Sequence, residues 1–210
     1  MNEEKNSFLY KLLRLPFVYK SYQALITKSN TYEIIYKNIF QSNEESVVLD
    51  CGCGPAQYRK YIECKKYYGI DFNKKHIKKA INKNPRDNFI KGNVVNYDFS
   101  KLPEFTDVLI FGLLHHLNDK NASRLIEKLS SQIKQGGKLV AIDPLYVDEN
   151  KSTYNKISNF IASKDQGNFV RNEFEYIELV NTKNTKIKQK KFKNLLRIPF
   201  HHNVLYIYRI

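Results

Sequence analysis

The chain has 210 residues, of which 42% are hydrophobic and 27% are charged, and it contains 8 glycines, 6 prolines and no tryptophan. These proportions are typical of a globular protein with a buried core, and they exclude a disordered or collagen-like chain. Lysine and arginine outnumber aspartate and glutamate by 35 to 21, which gives a formal net charge of +14. Such an excess fits an anionic partner, but it is also typical of a solvated lysine-rich surface.

The cysteines and the first residues bear on the cellular compartment. Three cysteines, Cys51, Cys53 and Cys64, form no disulfide scaffold, and their odd number favours a reducing environment. The first residues are acidic and lack the apolar run and the cleavage site of a signal peptide. No stretch approaches the roughly 18 uncharged residues that a spanning helix needs. We therefore expect a soluble, cytoplasmic protein without stable membrane insertion.

Residues 1–44 are predicted to form a helical cap. Apolar residues recur at mixed three- and four-residue spacing between Phe8 and Tyr19, and a second helix is predicted from about Thr31, whose hydroxyl is a candidate cap. The first segment also mixes basic and apolar residues as interfacial helices do. We favour a lid over a ligand cleft, with peripheral membrane binding as the alternative.

Short β-branched runs then alternate with amphipathic helices. Strands are predicted at Ser46–Asp50, Tyr67–Asp71, Phe89–Gly92, Asp107–Phe111 and Lys138–Ile142, and helices at Lys74–Ile81 and Ala122–Ile133, the latter ending at Gly136-Gly137. Continuous apolar runs of this length are typical of strands buried on both faces of a parallel sheet. The alternation predicts right-handed crossovers and a doubly wound α/β core over residues 45–145.

Residues 146–210 depart from this alternation but are assigned to the same domain. The predicted elements are helices at Tyr154–Ala162 and Glu173–Val180 and strands around Thr185–Phe192 and Val204–Tyr208. The two strands are expected to add an antiparallel edge, and the helices to act as a lid. Residues 151–210 include 12 basic and 4 acidic residues, and one interpretation of this excess is that the C-terminal segment binds an anionic substrate.

The turn after the first predicted strand is the most informative segment. Asp50 is followed by Gly52 and Gly54, which allow the backbone to bend and a ligand to approach without meeting a Cβ atom. Since a carboxylate at the strand end would repel a diphosphate, the acid suits a cationic ligand group. Asp71 ends the second strand about twenty residues later, where an acid hydrogen-bonds ribose hydroxyls.

Five blocks of sequence share the order and spacing of one family. They are Asp50–Pro55, Gly69–Asp71, Phe89–Asn93, Phe105–Asp119 and Leu125–Leu139. Together they resemble the class I S-adenosylmethionine-dependent methyltransferases over roughly residues 45–145. The resemblance implies a Rossmann-like methyltransferase fold with a mostly parallel seven-stranded sheet, and S-adenosyl-L-methionine as cofactor. Asn93 stands where the family often has an aspartate that faces the adenine amine.

The resemblance also implies a role for each part of the cofactor site. The cationic methionine end would be held by Asp50 and the backbone of Gly52 and Gly54, and the ribose hydroxyls would bind Asp71. The adenine would lie among Phe72, Asn93 and Val94. The floor of the site near the methyl group would be formed by Gly112 and Leu113. An amide such as that of Asn93 still accepts a hydrogen bond through its oxygen.

Two histidines and a carboxylate are the candidate catalytic residues. Methyl transfer from a sulfonium is an in-line displacement, so the protein contributes chiefly alignment. A hydroxyl acceptor must also lose a proton, which a base of near-neutral pKa assists by about 10²–10⁴-fold. His115 and His116 follow the fourth strand at the ligand-binding edge, and Asp143 ends the fifth strand, where it can orient one of them. The alternative for one of the two histidines is that it only packs the loop.

Other polar residues have more than one reading. Arg171 is a candidate clamp for an acceptor phosphate or carboxylate, with pairing to Glu173 or Glu175 as the alternative. His201 and His202 are candidates to reach the same cleft, although a turn before the last strand is the simpler account. The cysteines of the glycine loop have no partner at metal-ligand spacing, so no metal site is expected.

The leading prediction of function is O-methylation of a small molecule or a glycan precursor. Residues 165–176 and 197–202 resemble the C-terminal half of bacterial methyltransferases encoded with surface-polysaccharide and secondary-metabolite genes. The basic charge favours a tRNA or rRNA methyltransferase as an alternative, but no RNA-binding module or Asn/Asp-Pro-Pro-aromatic tetrad is present, and no specific nucleic acid is expected. A non-catalytic cofactor-binding partner protein is the third possibility, and the oligomeric state is left open.

Overall fold

The computed structural model describes residues 26–165, 167–180, 183–193 and 195–210. The predicted helical segment between Phe8 and Tyr19, and with it most of the expected N-terminal cap, lies outside these residues. The remaining predicted elements all fall within them.

Seven strands form one sheet. They are β1 (Val47–Cys51), β2 (Lys66–Asp71), β3 (Asn88–Lys91), β4 (Phe105–Phe111), β5 (Ile133–Pro144), β6 (Thr185–Lys193) and β7 (His201–Arg209). Their order across the sheet is β3-β2-β1-β4-β5-β7-β6. Strands β1 to β5 pair in parallel, whereas β7 runs antiparallel to both β5 and β6. The predicted doubly wound, mostly parallel sheet with an antiparallel edge is confirmed.

The sheet is accompanied, in the described part of the chain, by four one-turn 3-10 helices (Arg59–Tyr61, Phe99–Lys101, Leu114–His116 and Glu149–Lys151) and by five α-helices. The α-helices are α1 (Thr31–Glu33), which continues as a π-helical segment (Ile34–Phe40), α2 (Lys74–Lys83), α3 (Asp119–Gln132), α4 (Thr153–Ser163) and α5 (Glu173–Glu178). None of the helices among these residues is long and apolar enough to cross a bilayer. The expected cap on α1 is wrong: Asn30 precedes the helix, and the Thr31 hydroxyl instead donates to the Leu195 carbonyl oxygen.

The junction between α3 and β5 also differs from the prediction. The helix ends at Gln132 and the strand begins at once with Ile133, so Gly136 and Gly137 lie inside the strand rather than at the helix end. They occupy an irregular stretch where the register with β4 shifts, and Gly136 has a φ of +78°. Glycine tolerates this conformation, which explains why it occurs at a bulge as readily as at a helix cap.

Both faces of the sheet are covered by apolar side chains. Alternate residues of β4 point to opposite faces, so that Val108 and Ile110 belong to one buried cluster and Leu109 to the other. Leu125 of α3 packs in the first cluster, and Ile35 of the π-helical segment packs in the second. Because side chains cover both faces of the sheet, we expect a ligand to bind at the edge where the parallel strands end.

Candidate active site

The glycine loop that follows β1 forms one half of the site. Asp50 is buried at the end of the strand, and the Tyr67 hydroxyl donates to its Oδ2 atom at 2.6 Å. Gly52 and Gly54 have φ values of +78° and +56°, a left-handed conformation that favours glycine. Among the residues that the structure describes, apart from the two chain neighbours of Gly54, no atom lies within 4 Å of the position that a Cβ atom on Gly54 would take. The loop backbone is therefore open to a ligand at this point.

Asp71 ties the end of β2 to the glycine loop. Its Oδ2 atom accepts from the backbone N–H of Gly54 at 3.0 Å, and its Oδ1 atom accepts from the backbone N–H of Asn73 at 2.8 Å. The next residue, Phe72, has a side chain that is 75% exposed although it is large and apolar. The structure thus places an exposed aromatic ring directly beside the carboxylate predicted to bind a ribose.

The residues predicted to surround the adenine and the methyl group lie in two further turns. Asn93 is exposed, and its Oδ1 atom already accepts from the backbone N–H of Val95 at 3.0 Å, which leaves one lone pair of this oxygen for a ligand. Val94 is buried in the core. The backbone N–H of Gly112 donates to the Ile142 carbonyl at 2.8 Å, and Leu113 approaches Gly52, where an added Cβ atom would lie 3.5 Å from its side chain.

Burial of the Asp50 carboxyl group makes its ionised form unfavourable. Burial raises the pKa of Asp50 to about 6; the Tyr67 hydrogen bond opposes the shift, and the negative charge of Asp71 adds to it. The folded chain therefore binds the Asp50 proton more tightly than the unfolded chain does. The protonated carboxyl group contributes to the free energy of unfolding at low pH, and this contribution is lost as the pH rises through about 6.

We expect Asp50→Asn to raise the free energy of unfolding of the ligand-free protein at pH 8 by about 1–3 kcal/mol, because the buried charge is removed. Urea unfolding measures this difference, and the gain should shrink at pH 4, where Asp50 carries its proton in the folded state. A variant that is less stable than the parent at pH 8 would contradict the assignment of an uncompensated buried charge.

The other half of the site is the short turn Leu114–His116 after β4. His115 is buried, and its Nδ1 atom lies 2.6 Å from Oδ1 of Asp143, which also accepts from the His115 backbone N–H at 3.2 Å. On the opposite side of the ring, Nε2 lies 3.0 Å from Oδ1 of Asp165. Burial alone would lower the pKa of His115, but the two carboxylates outweigh it and raise the pKa to about 9.

The environment of His115 differs from that of the expected base. The structure places Asp143 where the sequence suggested, but it also adds Asp165 on the second ring nitrogen. An imidazole between two carboxylates keeps its proton at neutral pH and has no free lone pair to accept another. His116, next to it, is exposed, and the two ring centroids lie 4.2 Å apart.

Asp165 belongs to a segment that crosses over His115. We call residues 164–165 and 167–171 the strap. The backbone N–H of Phe169 donates to the His115 carbonyl at 2.9 Å, and that of Gly167 donates to Oδ1 of Asp165 at 3.0 Å. A Cβ atom on Gly167 would lie 2.0 Å from Cδ2 of His115 and 2.6 Å from its carbonyl oxygen. Only glycine fits at this approach.

Arg171 fixes the end of the strap. Its side chain is buried and donates to Oδ1 of Asp119 at 2.9 Å and to the carbonyl oxygens of Leu114 at 3.1 Å, Phe169 at 3.0 Å and Leu117 at 2.6 Å. Both sequence-based predictions for Arg171, a clamp for an acceptor anion and an ion pair with Glu173 or Glu175, are wrong. The guanidinium is neither open to an acceptor anion nor paired with the glutamates of α5, because these four oxygens hold it inside the protein.

A cavity of about 770 Å³ opens beyond the carboxyl end of β5. Its lining includes two aromatic and four basic side chains, namely Tyr146, Phe174, Lys151, Lys191, Lys193 and His201. Because β4 and β5 are parallel neighbours, the cavity and the His115 turn lie at the same edge of the sheet. Of the two C-terminal histidines only His201 lines the cavity; His202 is buried, and burial lowers its pKa to about 4.

Residues 49–141 match the protein family described as "Methyltransferase domain". A comparison with curated protein sequences gives no significant match. Solved structures with a similar fold include the YcgJ protein from Bacillus subtilis, which is 12% identical with a TM-score of 0.67, the match covering 87% of this chain and 100% of that one. An S-adenosylmethionine-dependent methyltransferase from Methanosarcina mazei is 16% identical, with a TM-score of 0.59 and coverage of 80% and 95%.

A third similar structure has a ligand bound. The magnesium protoporphyrin IX methyltransferase from Synechocystis, determined with S-adenosylhomocysteine, is 15% identical, with a TM-score of 0.59 and coverage of 97% of this chain and 88% of that one. At such identities the likeness establishes the fold, which is the Rossmann-like methyltransferase fold.

Proposed function

We propose that this chain, which is an S-adenosylmethionine-dependent methyltransferase, methylates an oxygen atom of a small molecule or glycan precursor that has an anionic group. The observation that supports this acceptor is the cavity beyond β5. Its volume of about 770 Å³ falls in the range typical of small-molecule sites, and cationic side chains line it. We place the reaction in the cytoplasm, since all three cysteines are free thiols.

The glycine loop and its neighbours fit the cofactor. Asp50 has no cationic partner among the described residues, so the ammonium group of the methionine part would neutralise its buried charge. The open space at Gly54 lets a ligand approach the backbone, and the exposed ring of Phe72 offers a stacking surface for adenine beside Asp71. When bound there, S-adenosylmethionine supplies a methyl group that is already activated by a sulfonium.

The charges of the cavity select the acceptor class. Lys191 pairs with Glu173 at 2.7 Å, whereas Lys151 and Lys193 have no ion-pair partner in the described part of the chain. Asp148 also lines the cavity, so its three lysines face two carboxylates, and the remaining positive charge suits a carboxylate or a phosphate. Phe174 has a side chain that is 79% exposed at this cavity, which suits a sugar or aromatic ring. The acceptor therefore combines a ring with an anionic substituent.

The chain promotes the transfer mainly by alignment. The acceptor oxygen attacks the methyl carbon in line with the breaking C–S bond, so its position at the carboxyl edge of β4 and β5 decides the rate. The strap is held to the His115 turn by hydrogen bonds from the Phe169 backbone N–H to the His115 carbonyl and from the Arg171 guanidinium to the Leu114 carbonyl, which keep this side of the site closed to water.

Removal of the two unpaired lysines should raise the KM for the acceptor by at least about tenfold, because each ammonium contributes a charge-assisted contact worth about 1.5–3 kcal/mol. The variant is Lys151→Ala/Lys193→Ala, and steady-state kinetics with saturating cofactor measures the change. The matched control is Lys186→Ala/Lys188→Ala, which removes the same charge from exposed positions of β6 that do not line the cavity. An equal KM in both variants would contradict an anionic subsite in the cavity.

The exposed lysines of β6 favour the alternative of an RNA acceptor. Lys186, Lys188 and Lys190 form a basic row on this edge strand, as a surface for phosphates would. Methyl transfer from labelled S-adenosylmethionine to a panel of hydroxylated carboxylates, sugar phosphates and bulk RNA separates the possibilities. We expect label in a small acid or sugar phosphate, with RNA binding only weakly and losing affinity at physiological salt. Label in RNA alone would overturn the proposal, and cofactor binding without transfer to any acceptor would favour a non-catalytic partner protein.

A further inference from the structure

We propose that His115, His116 and Asp165 bind a divalent transition-metal ion at the edge of the acceptor cavity. Among the residues that the structure describes, these three bring a ring nitrogen each from the histidines and a carboxylate oxygen to within 4.8 Å of one another. The binding site stands on this geometry alone. The role of the ion in catalysis rests on the proposed O-methylation.

The orientation of His115 is that of a metal ligand. A histidine that binds a metal through one ring nitrogen almost always donates the other N–H to a carboxylate or a carbonyl. Nδ1 of His115 has such a partner in the buried Asp143 at 2.6 Å, and this contact directs Nε2 toward Asp165. Asp143 is therefore a positioning residue for the ion. The ion would take the place of the proton between Nε2 and Asp165, and this proton would be released to solvent.

The spacing of His115 and Asp165 fits a shared ion. Nitrogen and oxygen ligands that each lie about 2.0–2.2 Å from one ion are separated by about 3 Å at right angles and by about 3.4 Å in a tetrahedron, and Nε2 of His115 lies 3.0 Å from Oδ1 of Asp165. The carboxylate is itself held, since Oδ1 accepts from the backbone N–H of Gly167 at 3.0 Å. Ligating carboxylates are usually supported by hydrogen bonds of this kind.

His116 supplies the third ligand from the protein surface. Its side chain is exposed, and one of its ring nitrogens already lies within 4.8 Å of the ligand atoms of His115 and Asp165. Two imidazoles and one carboxylate suit Zn²⁺, Fe²⁺ or Co²⁺ better than the oxygen-seeking Mg²⁺ and Ca²⁺. Three protein ligands also leave coordination positions open for a water molecule or for a substrate oxygen.

The ion would lie where the acceptor hydroxyl is needed. Asp165 and Arg171 belong to the strap, and the Arg171 carbonyl accepts from the backbone N–H of Tyr146, a residue that lines the cavity, at 3.0 Å. A hydroxyl oxygen bound to the ion is more acidic and releases its proton to water. The oxygen then forms the C–O bond as the C–S bond breaks, and the electron pair of that bond passes to sulfur. Neither ring nitrogen of His115 is free to take this proton.

Metal binding can be tested without any acceptor. The full chain is treated with a chelator, dialysed, and titrated with Co²⁺ by absorption spectroscopy and with Zn²⁺ by calorimetry. We expect one ion per chain, and at least about tenfold weaker binding for His116→Ala and Asp165→Asn. Thermal unfolding of each variant shows whether it is folded before its affinity for the ion is compared with that of the parent. The control His76→Ala removes a half-exposed histidine outside the cluster and should bind the ion normally.

Two results would overturn the site: no stoichiometric binding by the parent at millimolar ion, or unchanged affinity in both His116→Ala and Asp165→Asn. The catalytic role has a separate test. Chelation should lower turnover at least about tenfold, with recovery on addition of Zn²⁺ or Co²⁺ and no change in the cofactor Kd. Full turnover in excess chelator would refute the catalytic role of the ion and leave the methyltransferase proposal intact. If the ion binds normally but no turnover is seen with any metal, the proposed acceptor would be refuted instead.

Discussion

Asp71→Ala should weaken the binding of S-adenosylmethionine by about 1–3 kcal/mol, which is roughly a tenfold to hundredfold rise in Kd. In the proposed cofactor site this carboxylate accepts from the ribose hydroxyls, and in the structure it accepts from the backbone N–H groups of Gly54 and Asn73. Its loss therefore removes bonds to the ligand and releases the glycine loop from β2. Calorimetric titration of the cofactor measures the effect.

The matched control is Asp98→Ala, which removes an exposed carboxylate whose contacts in the described part of the chain are with Ser100 and Lys101 of its own turn. We expect its cofactor Kd to equal that of the parent. Asp71→Asn retains one side-chain oxygen and should fall between the parent and Asp71→Ala. A folded Asp71→Ala protein with the Kd of the parent would show that this carboxylate does not contact the cofactor.

Gly167→Ala should lower turnover at least about 100-fold, since displacements of about 1 Å at a reacting centre have effects of this size. The new Cβ atom would meet the His115 ring at 2.0 Å and the His115 carbonyl oxygen at 2.6 Å. The second contact is with backbone, which does not rotate away. The strap must therefore lift, and Asp165 leaves His115. The glycine loop is untouched, so the cofactor Kd should stay close to that of the parent.

Lys164→Ala serves as the control for this variant, because it shortens a neighbouring side chain of the strap whose ammonium lies over the Phe160 ring. Its turnover should remain within about twofold of the parent, as is typical of surface substitutions with small free-energy effects. Equal turnover of Gly167→Ala and Lys164→Ala would mean that the strap does not need its close contact with His115 for activity.

The elements of the fold could be predicted because their causes are local in sequence. Each buried strand is a short apolar run, and each helix repeats its apolar residues at helical spacing, so β1 to β5 and the antiparallel edge follow from pattern alone. The misplaced boundary at Gly136 has a different cause. A glycine with positive φ serves a helix end and a bulge equally well, and only the pairing of β5 with β4 decides between them.

The polar contacts of the site could not be predicted in the same way. Asp165 reaches His115, and Arg171 reaches Asp119 and the Leu114 carbonyl, across long stretches of chain. Such contacts leave no periodicity, and many surface side chains have the same residue types. Tyr67 is a similar case: as a strand residue it fits the apolar pattern, and only the structure shows its hydroxyl on Asp50.

Calorimetric titration of the purified chain with S-adenosylmethionine and with S-adenosylhomocysteine tests the central claim most directly. The glycine loop, Asp71 and the exposed Phe72 ring together predict one molecule bound per chain, with a Kd on the order of micromolar. Both ligands share the adenosine part that these residues are proposed to contact, so both should bind. A well-folded protein that binds neither ligand would contradict the assignment of this edge of the sheet as a cofactor site.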